Sequence, residues 1–246
     1  MGYEAALFDL DDTLYPYPPC NEAGKRAAFE TFHDLGYDLD RDEFDDVYLA
    51  ARRETKRELE GTAASHERFL YFKRALRLHA GIHDADAALA LGEAYWEGYL
   101  DAMEPFAGVV DALNELREAE IDLVIVTNLT TRIQLEKLSR LGVDDLFDRV
   151  VTSEEVGREK PSALPFTTAL AALDRRPSEA VVVGDNVAAD VVGGNAIGAD
   201  TVLFDARAAE GGGREADAEL DVGELAGPER PDHVVSSFPS LVEVIA

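Results

Sequence analysis

The chain has 246 residues, 46% of them hydrophobic, enough to bury a core without a disulfide or metal staple. Its 23 basic residues stand against 50 acidic ones, for a formal net charge of −27, and such a surface repels phosphate backbones and anionic lipid, which disfavours a nucleic-acid or membrane role. The single cysteine, Cys20, forms no internal disulfide, and no apolar run approaches the ~20 residues of a membrane span, so the expectation is a soluble, cytoplasmic protein. The acidic residues are spread along the whole chain. Self-repulsion at this density is relieved when salt shortens the screening length to ~3 Å at 1 M, which suggests a halophilic setting.

The apolar run at residues 5–9 reads as a buried parallel strand. Four amphipathic segments follow, at 21–35, 41–60, 65–81 and 84–103, each with helical periodicity and hardly a strand-like run between them. From Pro105 onward helix and strand alternate. Helices are predicted at 109–119, 132–142 (ending at Gly142), 163–173 and 188–198. Strands are predicted at 121–127, 149–153, 180–185 and 200–204. Residues 206–232 lack apolar periodicity and carry a triple glycine, the pattern of a long surface loop. A short strand and a closing helix starting near Ser237 or Pro239 complete the chain. The predicted fold class is α/β: a Rossmann-like parallel-sheet core (residues 1–16 and 105–246) with an inserted all-helical cap domain (residues 17–104).

In an open parallel sheet, ligands bind beyond the carboxyl ends of the strands, so the residues just after each strand are the candidates for chemistry. Asp9-Leu10-Asp11-Asp12-Thr13 follows the first strand and Thr127-Asn128 the second. Lys160-Pro161 lies in the loop after the third, and Gly184-Asp185-Asn186 ends the fourth, with Asp190 five residues beyond Asp185. Side chains two apart on an extended segment point the same way, so Asp9 and Asp11 can share a pocket while Leu10 enters the core. Clustered carboxylates repel, and a hard divalent cation relieves them. Oxygen donors without imidazole or thiolate favour Mg2+ over zinc. With Thr127 and Lys160 opposite, the cluster is a receptor for a tetrahedral dianion such as a phosphoryl group.

These four motifs, in this order, resemble those of the haloacid dehalogenase superfamily, and the helical insert resembles the cap of its subfamily I members. The resemblance spans nearly the whole chain, 206–232 apart. It implies a Mg2+-dependent phosphatase acting on a small phosphorylated molecule. Asp9 is then the nucleophile that forms an aspartyl-phosphate, and Asp11 the general acid and base. Thr127, Asn128 and Lys160 hold the phosphoryl group. Mg2+ is held by Asp9, Asp185 and the backbone carbonyl of Asp11, with Asp190 supporting Lys160 or a metal-bound water. Members that cleave carbon–halogen bonds lack a carboxylate at the Asp11 position, because a halide leaves without a proton. A phosphomutase keeps the same motifs and ranks second, a 2-haloacid dehalogenase third. A catalytically idle metal-binding interaction module on the same fold is a further alternative.

Other polar residues invite simpler readings. Asp12 stabilises the turn through backbone contacts and Thr13 caps it. His79 and His83 are four apart, but Gly81 between them weakens a helix and a third zinc ligand is missing. Trp96, Tyr95 and Tyr99 fall at helical spacing and read as cap core, and Cys20 as a packing residue. Tyr15, Tyr17, Arg68, Tyr71 and Lys73 are candidates for substrate contact from the cap or hinge. Oligomeric state is not legible.

Overall fold

The aliphatic runs at 123–126 and 180–183 have no polar face, and segments of that kind are stable as strands only when both sides of the sheet are covered. The computed structural model describes residues 2–205, 223 and 225–246. Six strands pair in parallel throughout: β1 (Ala5–Phe8), β2 (Asp122–Thr127), β3 (Arg149–Thr152), β4 (Ala180–Gly184), β5 (Asp200–Phe204) and β6 (His233–Val235). Their order is β3-β2-β1-β4-β5-β6, so β1 is central and the chain doubles back across it between β3 and β4. That reversal is a topological switch point, where a crevice opens beyond the carboxyl ends of β1 and β4.

Helices α5 (Val109–Glu118) and α6 (Thr131–Leu141) cover one face together with α10 (Phe238–Ile245). Val109, Leu113, Ile133, Leu138, Phe238 and Leu241 pack there with Ala6, Phe8, Leu123, Ile125, Val181 and Val183. Helix α8 (Ala163–Leu173) covers the other, where Phe166, Ala169 and Leu170 meet Leu7, Val124, Val126 and Val182. The alternation of strand side chains between the two clusters follows from the period-two pleat. Three short helical pieces complete this part: α7 (Ser153–Val156), a π turn at Val187–Val191, and α9 (Val192–Ile197), which continues from it.

Between β1 and α5 the chain forms only helices: α1 (Tyr17–Asp34), α2 (Arg41–Glu58), α3 (Arg68–Ala80) and α4 (Ala85–Asp101), with a 3-10 turn at Ala63–His66. Helix α1 starts four residues before the expected Asn21. Pro18 and Pro19 fall in its first turn, where the missing N–H groups would have had no intrahelical acceptor. Asp40 and Glu43 close a capping box at the start of α2. Tyr48, Tyr71, Phe72, Tyr95, Trp96 and Tyr99 are buried together among these helices, as expected of the last three. Cys20 is buried, its thiol donating to the Pro16 carbonyl at 3.3 Å.

Three local departures have physical causes. The strand expected at 149–153 ends at Thr152, because the Thr152 hydroxyl accepts from the Glu155 N–H (3.2 Å) and starts α7. The helix expected at 188–198 begins as the π turn. The loop expected at 206–232 lies outside the described residues except for residue 223 and residues 225–232, where Gly227–Glu229 forms a 3-10 turn. No helix among the described residues is long and apolar enough to cross a membrane.

Candidate active site

The parallel register sets Phe8 of β1 level with Ile125 of β2 and Val183 of β4, and the Asp9 N–H extends the ladder to the Val183 carbonyl at 2.8 Å. Asp9, Thr127 and Asp185 therefore leave three adjacent strands at nearly the same height. Lys160 arrives from the loop before α8, only 6% exposed, and its Nζ donates to Asp9 Oδ1 (2.6 Å) and Asp190 Oδ1 (2.7 Å). The side chains of Asp9, Asp185 and Asp190 each bring a carboxylate oxygen within 4.8 Å of the others. Asp9, Lys160, Asp185 and Asp190 are thus brought together from separate strand ends and loops.

Asp190 reaches this point because the π turn adds a residue to the first helical turn after β4. Its second oxygen accepts from the Asn186 N–H at 3.1 Å, so both of its oxygens are engaged within the chain. Gly184 makes room for it: a Cβ there would overlap the Asp190 carboxylate. The carboxylate of Asp185, by contrast, has neither a hydrogen bond nor an ion pair among the described residues, although it lines the same cavity. Burial pushes the Asp9 carboxyl up to about 7 despite the opposing Lys160 charge, with Asp190 and Asp11 adding to the rise. Burial, then Asp9, Asp12 and Asp190, push Asp185 well above the ordinary carboxylate range. The Lys160 charge alone does not offset these crowded, buried carboxylates. A hard divalent cation with oxygen ligands fits this donor set, with Asp9 and Asp185 the side chains free to ligate it.

Asp11 lines the same cavity but has partners of its own. Its carboxylate accepts from Lys137 Nζ at 2.7 and 2.9 Å and from the Tyr15 hydroxyl at 2.5 Å. Tyr15 in turn shares a 2.6 Å hydrogen bond with Tyr99. Burial alone would raise the Asp11 carboxyl, but the Lys137 charge and the hydrogen bonds from Lys137 and Tyr15 outweigh it and hold it below the ordinary range. The carboxylate lies outside the three-aspartate group. Its assignment to a cation rests on the backbone carbonyl alone.

Thr127 is 1% exposed, and its hydroxyl oxygen accepts from Gln134 Nε2 at 2.5 Å, which leaves the hydroxyl proton to be donated into the cavity. Asn128 lines the cavity too. Its carbonyl oxygen accepts from the Lys160 N–H (2.8 Å), and one amide hydrogen goes to the Lys160 carbonyl (3.2 Å), so its main effect is to pin the lysine loop. Asp12 takes up left-handed backbone (φ 61°) and accepts from the Tyr17 N–H at 2.8 Å, the turn-stabilising role expected of it. Thr13 does not cap: it is fully buried, and its hydroxyl has no partner among the described residues.

The cavity holds about 230 Å3, smaller than the ~300–1,000 Å3 usual for drug-sized ligands. The sheet edge forms its acidic wall, and Tyr17, Arg68 and Tyr71 close it from the helical side. Of the other cap candidates, Tyr15 sits behind Asp11. Lys73 is exposed, one position off the buried stripe of α3. Lys137 and Gln134 were missed as site residues, although a signal existed. They share the stripe Ile133, Gln134, Lys137, Leu138 and Leu141, the buried face of α6, where a charged residue needs a partner.

Residues 6–204 match the family model described as haloacid dehalogenase-like hydrolase. The chain belongs to this hydrolase family. It is 52% identical, over 98% of its length and 99% of the relative's, to a ribulose-1,5-bisphosphate 5-phosphatase of Halopiger xanaduensis. A glyceraldehyde 3-phosphate phosphatase of Methanopyrus kandleri is 35% identical, over 81% of this chain and 82% of that one. In fold, this haloacid dehalogenase-like hydrolase is similar to a crystal structure of a phosphatase of the same family from Thermococcus onnurineus. The TM-score is 0.72 at 22% identity, over 99% and 98% of the two chains.

Proposed function

We propose that the chain hydrolyses a small sugar phosphate through an aspartyl-phosphate on Asp9. The observation that carries this reading is the convergence of Asp9, the Lys160 ammonium 2.6 Å from it and Asp185, unpaired among the described residues, at one cavity floor, within a family whose relatives named above are phosphatases. Asp9 attacks phosphorus in line, forming the Oδ–P bond as the bond to the leaving alkoxide breaks. The proton for that alkoxide is relayed through Asp11: the Lys137 ammonium, whose hold on its proton burial weakens, passes one to the Asp11 carboxylate it donates to, and Asp11 passes it to the alkoxide. Asp11 then takes a proton from the water that cleaves the acyl phosphate. Thr127, Asn128 and Lys160 hold the phosphoryl oxygens, and Asp190 keeps Lys160 aimed. Asp9, Asp185 and the Asp11 carbonyl would hold Mg2+, which when bound offsets the carboxylates and brings nucleophile and dianion together.

Helices α1–α4, residues 17–104, act in this reading as a cap over a core of residues 1–16 and 105–246, excluding bulk water from the reaction. The presence of Asp11 separates this chemistry from carbon–halogen cleavage, in which the leaving halide takes no proton. The −27 charge and the Halopiger relative support a cytoplasmic enzyme adapted to high salt. Assay of p-nitrophenyl phosphate and a panel of sugar phosphates in molar KCl tests it. Hydrolysis that requires added Mg2+ and is abolished by a chelator is expected. Absence of phosphate release from every compound would overturn the reading.

A further inference from the structure

A protein with a formal charge of −27 nevertheless lines one end of this cavity with cations. Arg52 and Lys56 stand one turn apart on α2, and Arg68 starts α3. None of the three has an ion pair among the described residues, whereas Lys25, Arg41, Arg74 and Arg77 on the cap helices do. Arg68 is the most exposing case. It is 97% buried (3% exposed), and its guanidinium donates to neutral oxygens, among them the His66 carbonyl (2.6 Å) and the Tyr17 hydroxyl (3.0 Å). Tyr71, Tyr95 and Trp96 surround it, each ring centroid 5.2 Å from Cζ, and its Nε has no partner among the described residues. A buried charge without a counter-charge is costly, and a guanidinium fork is well matched to a phosphate. Burial and the neighbouring Arg52 and Arg68 push the Lys56 ammonium down to about 8. Glu159 lies near enough to oppose this, but its carboxylate is engaged by His66 (3.0 Å) and Ser65 (3.2 Å). The cavity thus has an acidic end, which calls for a cation and a phosphoryl group, and a basic end, which calls for an anion of its own.

We propose that Arg52, Lys56 and Arg68 form a second phosphate subsite, so that the preferred substrate is a small bisphosphate whose uncleaved phosphate is anchored on the cap. The assignment rests on the reading that the transferred phosphoryl group sits at Asp9. It adds to that reading the residues that select the substrate. Holding the distal phosphate on the cap also couples substrate binding to cap position, since the anion is the group that joins the two cationic helices to the core.

The test compares ribulose 1,5-bisphosphate with ribulose 5-phosphate in molar KCl and Mg2+, using the full chain, Lys56→Gln and Lys56→Arg. The wild type is expected to prefer the bisphosphate in kcat/KM. Lys56→Gln should reduce that preference about 10- to 100-fold, the scale of one lost charged hydrogen bond, and Lys56→Arg should retain it. Calorimetric titration of Asp9→Asn with ribulose 1,5-bisphosphate, with and without Lys56→Gln, gives a readout independent of turnover and should show a matching loss of affinity. Equal kcat/KM for the two substrates in the wild type, or equal losses on both in Lys56→Gln, would overturn the subsite and leave the phosphatase reading intact. Binding that depends on Lys56 without any hydrolysis would support the subsite and overturn the phosphatase reading.

Discussion

Gly184→Ala is a one-methyl perturbation at the centre of the site. The new Cβ would overlap the Asp190 carboxylate, which is 2% exposed, and must displace it. Its displacement breaks the charged hydrogen bond from Lys160 Nζ (2.7 Å) and the bond from the Asn186 N–H (3.1 Å). At ~1.5–3 kcal/mol for the first and ~0.5–1.5 kcal/mol for the second, the expected destabilisation is about 2–4 kcal/mol, or roughly 5–15 °C in Tm for a chain of this size. Lys160, left with Asp9 alone, moves off the position from which it would hold the phosphoryl group of the proposed substrate. A misplacement of ~1 Å costs on the order of 100-fold in kcat/KM. Thermal unfolding and steady-state kinetics on the same preparation measure both. A variant with wild-type Tm and kcat/KM within twofold would refute the idea that Asp190 positions the lysine and that Gly184 makes room for it.

Lys137→Met removes the cation from a buried pair and leaves Asp11 with Tyr15 as its hydrogen-bond donor. Urea unfolding should show a loss of about 3 kcal/mol, toward the low end for buried pairs because the Asp11 side chain is 22% exposed. The raised carboxyls of Asp9 and Asp185 bind protons more tightly in the folded chain than in the unfolded one. From an ordinary value of 3.8 up to about 7, the cation-free protein therefore loses stability as pH rises. The lowered carboxyl of Asp11 acts oppositely, but its contribution changes only at acid pH, below that window. Added Mg2+ should accordingly raise Tm more at pH 8 than at pH 5, and equal shifts at the two pH values would contradict this. Screening of the −27 charge should raise Tm between low salt and molar KCl, as scanning calorimetry can show; a flat response would remove the high-salt adaptation.

Much of the floor of the site was legible because parallel strands place their following residues on one edge. Asp9, Thr127, Lys160 and Asp185 each follow a strand whose aliphatic run is plain, and register does the rest. What escaped were polar residues within helices. Lys137 and Gln134 on α6 occupy positions in an otherwise apolar stripe, and only tertiary packing shows which partner each one meets. The π turn escaped for another reason. Val187–Val191 has ordinary helical propensity, and the extra residue is stabilised by the contacts of Asp190 with Lys160 and Asn186, which are remote from local sequence pattern.

Acid quenching during turnover, followed by mass spectrometry of the peptide that contains Asp9, tests the nucleophile directly. A phosphoryl adduct on Asp9 during turnover, absent from Asp9→Asn together with all phosphate release, is the predicted result. Continued hydrolysis by Asp9→Asn, or an adduct on another residue, would contradict it.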